Sequence, residues 1–305
     1  MSFLKNLNLI FNKLYYSKLG AGQEDFDKSL ESFNRQIEKT AFDHNRDYVS
    51  LPFEADTFNL KVLYPGLLIG TGNPHGTHKS NNDINMGFSF DYVTGQPYIP
   101  GSSVKGVLRS HFKERADAVS ELILAVTGKS NVDIGKLEEE IFDKNDTFFD
   151  AVLFDGDKYG LIMGRDYITP HSSSFKNPIP ISIIKVLPEV RFEFRFSLTD
   201  GEQLTAKEKK AVFKELLIIF GVGAKTNTGY GGFESAGVKV LPKETPKQDD
   251  FKKKSNRYDK SSSHRGVSTD TSEKIMCPHC KKYVFKYNKG GRLNAYCFYC
   301  NGSLK

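Results

Sequence analysis

The 305-residue chain has no tryptophan, four methionines and four cysteines. All four cysteines fall between Cys277 and Cys300, so no disulfide can staple the rest of the chain, and a reducing, cytoplasmic setting is expected. Long apolar runs are also missing: nothing approaches the roughly 18 consecutive apolar residues that a membrane span needs. The opening MSFLKNLNLIFNKLYYSKLG is interrupted by Asn6, Asn8, Asn12 and Lys13, with no small-residue cleavage site after it, so no export signal is read. What remains, at 38% hydrophobic residues, suffices for one large or two modest cores.

Charge is unevenly placed. The chain carries a formal +6, yet residues 241–305 hold fifteen Lys and Arg against six Asp and Glu, leaving residues 1–240 slightly acidic. Residues 242–275 contain almost no large aliphatics and much Lys, Ser and Asp, the composition of a disordered basic linker. Acidic side chains then vanish from 277 to 305.

Periodicity outlines the body. Phe26, Leu30, Phe33, Ile37 and Ala41 recur at helical spacing and predict an amphipathic helix over 24–47. Residues 60–69 read as a strand with Pro65 at an edge or bulge, followed by a polar Gly- and Asn-rich loop from Gly70 to Gly87 that is too long for a hairpin turn. Pro100 and Gly101 break the chain ahead of a helix predicted to run to Val126, with Ser102 or Ser103 as its cap. Strands are expected at 151–156 and at 191–198, where Phe192, Phe194 and Phe196 alternate with Arg191, Glu193 and Arg195. A capped helix from Thr205 to Phe220 and a last strand from Phe233 complete the order strand, helix, strand, strand, helix, strand. The fold class is therefore α+β, a ferredoxin-like or RRM-type domain at 59–241. A helical segment at 1–58 packs on it, and a separate module lies at 276–305.

That module carries the strongest local signal. Cys277-Pro-His-Cys280 and Cys297-Phe-Tyr-Cys300 have the spacing of a four-thiolate zinc ribbon, whose filled tetrahedral shell makes the metal structural. Four free or redox-active thiols are the alternative. Lys281, Lys282, Tyr283, Phe285, Lys286, Tyr287, Lys289, Arg292 and Tyr296 interleave cations with aromatics, as suits RNA; a protein-docking module is the other reading.

Two glycine motifs mark the body. In Gly101-Ser-Ser-Val-Lys-Gly-Val-Leu-Arg109, a helix start with hydroxyls, Lys105 and Arg109 on one face forms an anion site, or else an ordinary capped helix with solvated cations. The lysine precedes the glycine and GxxxxGK[ST] spacing is absent, which argues against nucleotide hydrolysis. In Gly221-Val-Gly-Ala-Lys-Thr-Asn-Thr-Gly-Tyr-Gly-Gly232, Gly221 and Gly223 allow positive φ, and Lys225, Thr226 and Thr228 suit phosphate contact; a tight turn is the alternative. The loop follows a helix, which excludes a dinucleotide fingerprint.

Together, IPGSSVKGVLRS and GVGAKTNTGYGGF resemble the RAMP superfamily of CRISPR-associated proteins, and GTGNPHG, VLFDGD and DYITPH narrow the likeness to a subunit of type III-B effector complexes, over residues 60–240. The resemblance implies an RRM-derived domain near the 3′ end of a guide RNA, touching guide, target RNA and neighbouring RAMP subunits, with no membrane or small-molecule partner. It places Ser102, Ser103, Lys105 and Arg109 on an RNA-facing helix start, Gly221, Gly223, Lys225 and Thr226 on an RNA-facing loop, and the Gly70–Gly87 loop near the guide–target duplex. Target cleavage in this family belongs to another subunit, so no catalytic residue is expected. The basic linker and zinc ribbon depart from its usual pattern. The competing class is a metal-independent CRISPR RNA-processing ribonuclease, for which His75 is the best acid–base candidate. Asp155, Asp157 and Asp166 form no spacing that suggests a metal cluster.

Overall fold

The protein is described from a computed structural model over residues 6–43, 54–77, 80, 82–169, 180–235, 274–276 and 283–285. The chain divides into two units, Met1–Val238 and Lys239–Lys305.

The first unit is built on an antiparallel sheet whose main path runs β2 (Tyr98–Ile99), β4 (Ala151–Asp155), β7 (Arg191–Ser197), β1 (Asp56–Val62), β8 (Phe233–Ser235), with β3 (Thr147–Phe148) pairing beside β7. Both β1 and β7 are central and pair from Asp56↔Phe196 to Lys61↔Arg191. The apolar side of the period-two pattern of β7 holds, with Phe192, Phe194 and Phe196 buried and Phe58 of β1 stacking on the last two at 5.5 and 5.4 Å, but Arg195 on the polar side is buried as well, beside Glu193. Helices α3 (Gly101–Glu114), α4 (Ala116–Thr127) and α6 (Ala206–Phe220) pack together, with α6 lying on β1 and β8. A second antiparallel pair, β5 (Met163–Ile168) and β6 (Ile181–Val186), is joined to the body where Leu67 and Val186 exchange backbone hydrogen bonds.

Several boundaries differ from the periodicity. Helix α2 spans Gln23–Glu38 and stops well before residue 47; Ala41 instead pairs with Leu161, so its apolar spacing belongs to an extended segment. Strand β1 starts at Asp56, inside the segment expected to be helical, and ends at Val62, ahead of the cis Tyr64–Pro65 bond. The helix expected over 102–126 is two helices, broken at Arg115, where φ −138° and ψ 41° leave the helical region. Pro100 is the N-cap of α3; Ser102 and Ser103 lie in its first turn and make no capping hydrogen bond. By contrast, Thr205 and Glu208 form the reciprocal capping box that starts α6.

One lysine of α6 is wholly buried. Lys209 Nζ lies 3.1 Å from Glu140 and 3.0 Å from Asp146, whose carboxylate also receives the Thr199 N–H. This charge cluster fastens α6 to the turn of π-helix at Glu140–Asn145. Removing one partner strands the others in low dielectric. Lys209→Met is expected to cost about 3–5 kcal/mol of stability in urea unfolding. Adding Glu140→Gln and Asp146→Asn to that variant should restore most of the loss.

In the second unit, β9 (Lys274–Met276) pairs antiparallel with β10 (Tyr283–Phe285), Met276 opposite Tyr283. The zinc expectation for Cys277, Cys280, Cys297 and Cys300, and the linker expected at 242–275 save its last two residues, lie outside the described residues.

Candidate nucleic-acid interface

The glycine-rich loop leaves α6 at Gly221 and runs main chain against main chain with residues 63–68. Ala224 N–H donates to Leu68 O and Gly231 N–H to Gly66 O, both at 2.8 Å, while Val222 N–H donates to Gly231 O at 3.0 Å within the loop. Side chains cannot enter here: a Cβ at Gly221 would stand 2.4 Å from Gly231 O, and one at Gly223 would stand 2.3 Å from Leu68 O. These glycines therefore bring backbones together within the fold. The solvent-facing part is the tip, Lys225-Thr226-Asn227-Thr228-Gly229, all exposed. Lys225 sits at φ 58°, one of two non-glycine residues with positive φ among those described. In a loop so rich in glycine, a lysine in that conformation points to use of its side chain.

Beneath the tip, Tyr230 is buried and its hydroxyl donates to Asp166 at 2.8 Å, while Lys185 Nζ reaches the same carboxylate oxygen at 2.6 Å. Burial alone would raise the Asp166 carboxyl, but hydrogen bonds from Lys185 and Tyr230 hold it below its ordinary value. Burial and then Asp166 push the Tyr230 phenol upward. With Leu68 and Ile183, Tyr230 forms a small apolar cluster that ties the loop to the β5–β6 pair. Sequence reasoning missed this network, because its members are about 20 to 64 residues apart.

The start of α3 stands elsewhere. Gly101 N–H donates to Asp150 at 2.7 Å, and a Cβ there would strike Phe148 O. A carboxylate of the protein itself thus occupies part of the expected anion site, as the positive end of a helix favours. Arg109 is also committed: its guanidinium bonds to Glu138 and, at 2.6 Å, to Asp143. It is an internal clamp from α3 to Glu138 of α5 (Ile134–Glu139) and to Asp143 of the π-helical turn that follows, not the free phosphate grip expected from its spacing. Lys105 lies 5.9 Å from the Phe148 ring and is in no ion pair; Ser102 is exposed and Ser103 half-buried. Gly101 stands level with the Phe196 end of β7 and the glycine-rich loop with its Arg191 end, on the order of 20 Å apart along the strand. The two glycine motifs are therefore not one site.

His75 overturns a further expectation. The Gly70–Gly87 loop, read as too polar for core, buries His75 to 5% exposure and Asp83 and Ile84 almost fully. The imidazole stacks on Phe11 of α1 (Leu7–Asn12) at 3.7 Å, with Tyr15 and Tyr16 rings nearby. Its two nitrogens face the Ile84 and Phe11 carbonyls at 2.8 and 3.0 Å. Burial pushes its pKa down, against the pull of those carbonyls. His75 is a core residue that docks the N-terminal helix. His111, the other described histidine, stacks on Phe220 at 3.9 Å.

Of the three acidic residues considered, Asp155 pairs with Arg191, Asp157 caps its own turn and Asp166 holds Tyr230. Among the described residues no group of His, Cys, Asp and Glu could hold a metal, and no helix is long and apolar enough to cross a membrane.

The RAMP superfamily model matches residues 59–234, more than half of the chain, and the chain belongs to that superfamily. Within it, the sequence is similar to the CRISPR system CMR subunit Cmr6 of Saccharolobus solfataricus, 27% identical over 174 residues, covering 52% of this chain and 51% of that protein. The chain thus matches about half the length of that relative. Among solved structures, Cmr6 from Pyrococcus furiosus overlaps 61% of this chain and 100% of its own at 25% identity and a TM-score of 0.41. A chain of the type III-B Cmr-beta complex bound to cognate target RNA overlaps 70% and 73% at 23% identity and a TM-score of 0.49.

His111 carries a pH consequence. Burial, and then the charge of Arg115, push its pKa down to about 4. As pH falls below about 6.5, the unfolded chain takes up this proton before the folded one does. The contribution is therefore whole above about 6.5 and lost toward 4. Thermal melting should show Tm dropping across that window, with a shallower drop in His111→Gln.

Proposed function

We propose that the chain is a non-catalytic, guide-RNA-binding structural subunit of a type III-B CRISPR RNA-targeting complex. In this reading it caps the end near the guide 3′ end and contacts the guide–target duplex and neighbouring RAMP subunits. The observation that carries it is the exposed Lys225–Gly229 tip, built on close backbone packing and presenting a lysine where the backbone favours glycine. Likeness to Cmr6 supports the choice of complex. The sheet order β4-β7-β1-β8 supports a ferredoxin-like, RRM-type body.

The non-catalytic part of the reading has its own support. His75, the strongest acid–base candidate for a ribonuclease, has both nitrogens turned to main-chain carbonyls inside the core and cannot meet a 2′-hydroxyl. For the second unit, we propose one structural zinc on Cys277, Cys280, Cys297 and Cys300. The first pair falls within the six residues joining β9 to β10, a connection suited to a metal knuckle.

Lys225→Gly separates charge from fold, because glycine suits the φ of 58°. Titrations of single-stranded RNA at several salt concentrations should show weaker binding by this variant. Its log K against log salt slope should be smaller by about one, with Tm nearly unchanged. Affinity purification from the host should recover guide RNAs of uniform 5′ end with several RAMP subunits; a lone protein that cuts precursor transcripts would overturn the reading. Metal analysis should find one zinc per chain, lost in Cys277→Ser.

A further inference from the structure

We propose that Tyr64 is a stacking platform for an unpaired base of the bound RNA, set beside the glycine-rich tip so that ring and tip grip one nucleotide together. This rests on the RNA-binding reading above and adds a residue that neither glycine motif contains.

Tyr64 is 83% exposed, and among the described residues no ring contact, hydrogen bond or ion pair engages it. The fold nonetheless fixes the backbone on both sides of this residue. Leu63 N–H donates to Gly232 O at 2.9 Å and Gly66 O accepts from Gly231 at 2.8 Å, so the Tyr64 turn is zipped to the loop. On its other flank, Val62 and Glu189–Val190 exchange hydrogen bonds, as do Leu67 and Val186. A Cβ at Gly229 would meet Pro65 at 3.5 Å, which places the far end of the tip against the turn. A ring already held in place loses little freedom when a base settles on it.

The neighbours decide what kind of ligand suits it. Lys225, Thr226 and Asn227 offer a cation, a hydroxyl and an amide, while the Thr228 hydroxyl donates to Lys225 O; neither 63–82 nor 221–233 contains an acidic residue, Asp166 beneath the tip is paired with Lys185, and the exposed Glu189 stands on the far flank. An aromatic face beside a cation and hydrogen-bonding groups matches a nucleotide of single-stranded RNA. A pocket on a protein partner would suit apolar neighbours better. Tyr92 illustrates the contrast: it is 85% exposed but sits with Val93 and Asp91, in a turn without Lys or Arg.

Because the chain lacks tryptophan, Tyr64→Trp supplies a single reporter at this position. In the full chain its emission should be quenched on adding an oligoadenylate of about 12 nucleotides. Tyr64→Leu should weaken binding of the same oligonucleotide roughly 5- to 100-fold with the salt slope unchanged, while Tyr64→Phe binds like the parent. If the parent binds, Lys225→Gly binds less and Tyr64→Leu binds normally, stacking is refuted and the RNA reading stands. Normal RNA binding by Tyr64→Leu with loss of a co-purifying subunit would assign Tyr64 to a protein interface and also overturn the proposal. A parent chain that binds no oligonucleotide, alone or in its complex, removes both.

Discussion

Two main chains in direct contact hold the exposed site in place. Where residues 221–231 fold on themselves and run against 63–68, carbonyl oxygens occupy the space that side chains would need: Gly231 O at Gly221 and Val222 O at Gly231 within the loop, and Leu68 O at Gly223 across the contact. Glycine is thus required for packing at the base of the loop. Backbone hydrogen bonds across this contact set the level of the tip and of the Tyr64 turn together. The exposed residues at the top can be polar or aromatic because the fold does not depend on them.

The opposite end of the sheet is secured by charge. Lys209 sits between Glu140 and Asp146, and Arg109 ties α3 to Glu138 and Asp143. Partners in both clusters are far apart in sequence, and only the folded chain brings them together. A buried ion cluster of this kind is demanding, since each charge depends on the others for compensation, and it makes the packing of α6 intolerant of substitution.

This distinction explains what the sequence made legible. Short-range rules sufficed for the Thr205–Glu208 cap, for the apolar side of the alternation in β7 and for the order of the main elements. They failed where a distant partner decides the role of a residue. Arg109 looks like a phosphate ligand four residues after Lys105, until Glu138 and Asp143 arrive from 29 and 34 residues away. His75 lies in a polar loop, yet Phe11, 64 residues earlier, supplies both a stacking ring and a carbonyl. Nothing in TAKEKK distinguishes the buried Lys209 from the exposed Lys207. Tyr64 was hidden for the opposite reason: it falls in a segment that reads as a strand with Pro65 at an edge or bulge, whereas the strand ends at Val62 and exposure of the ring follows only from the fold.

The disposition of charge bears on how such a protein would hold RNA. The first 240 residues are slightly acidic, and many of their cations are committed internally, Lys61 to Glu234, Arg165 to Glu38, Lys185 to Asp166 and Arg195 to Glu193. Among the described residues Lys105 and Lys225 are outside such pairs, as are Lys13, Lys18, Lys39, Lys136, Lys158, Lys207 and Lys214. The basic surplus instead lies in the last 65 residues, with their interleaved aromatics. Under the proposed function, the two units contribute different parts of the binding free energy. The body supplies fixed hydrogen-bonding and stacking contacts beside the Lys225 cation, whereas the basic region supplies the larger share of the long-range, salt-sensitive attraction.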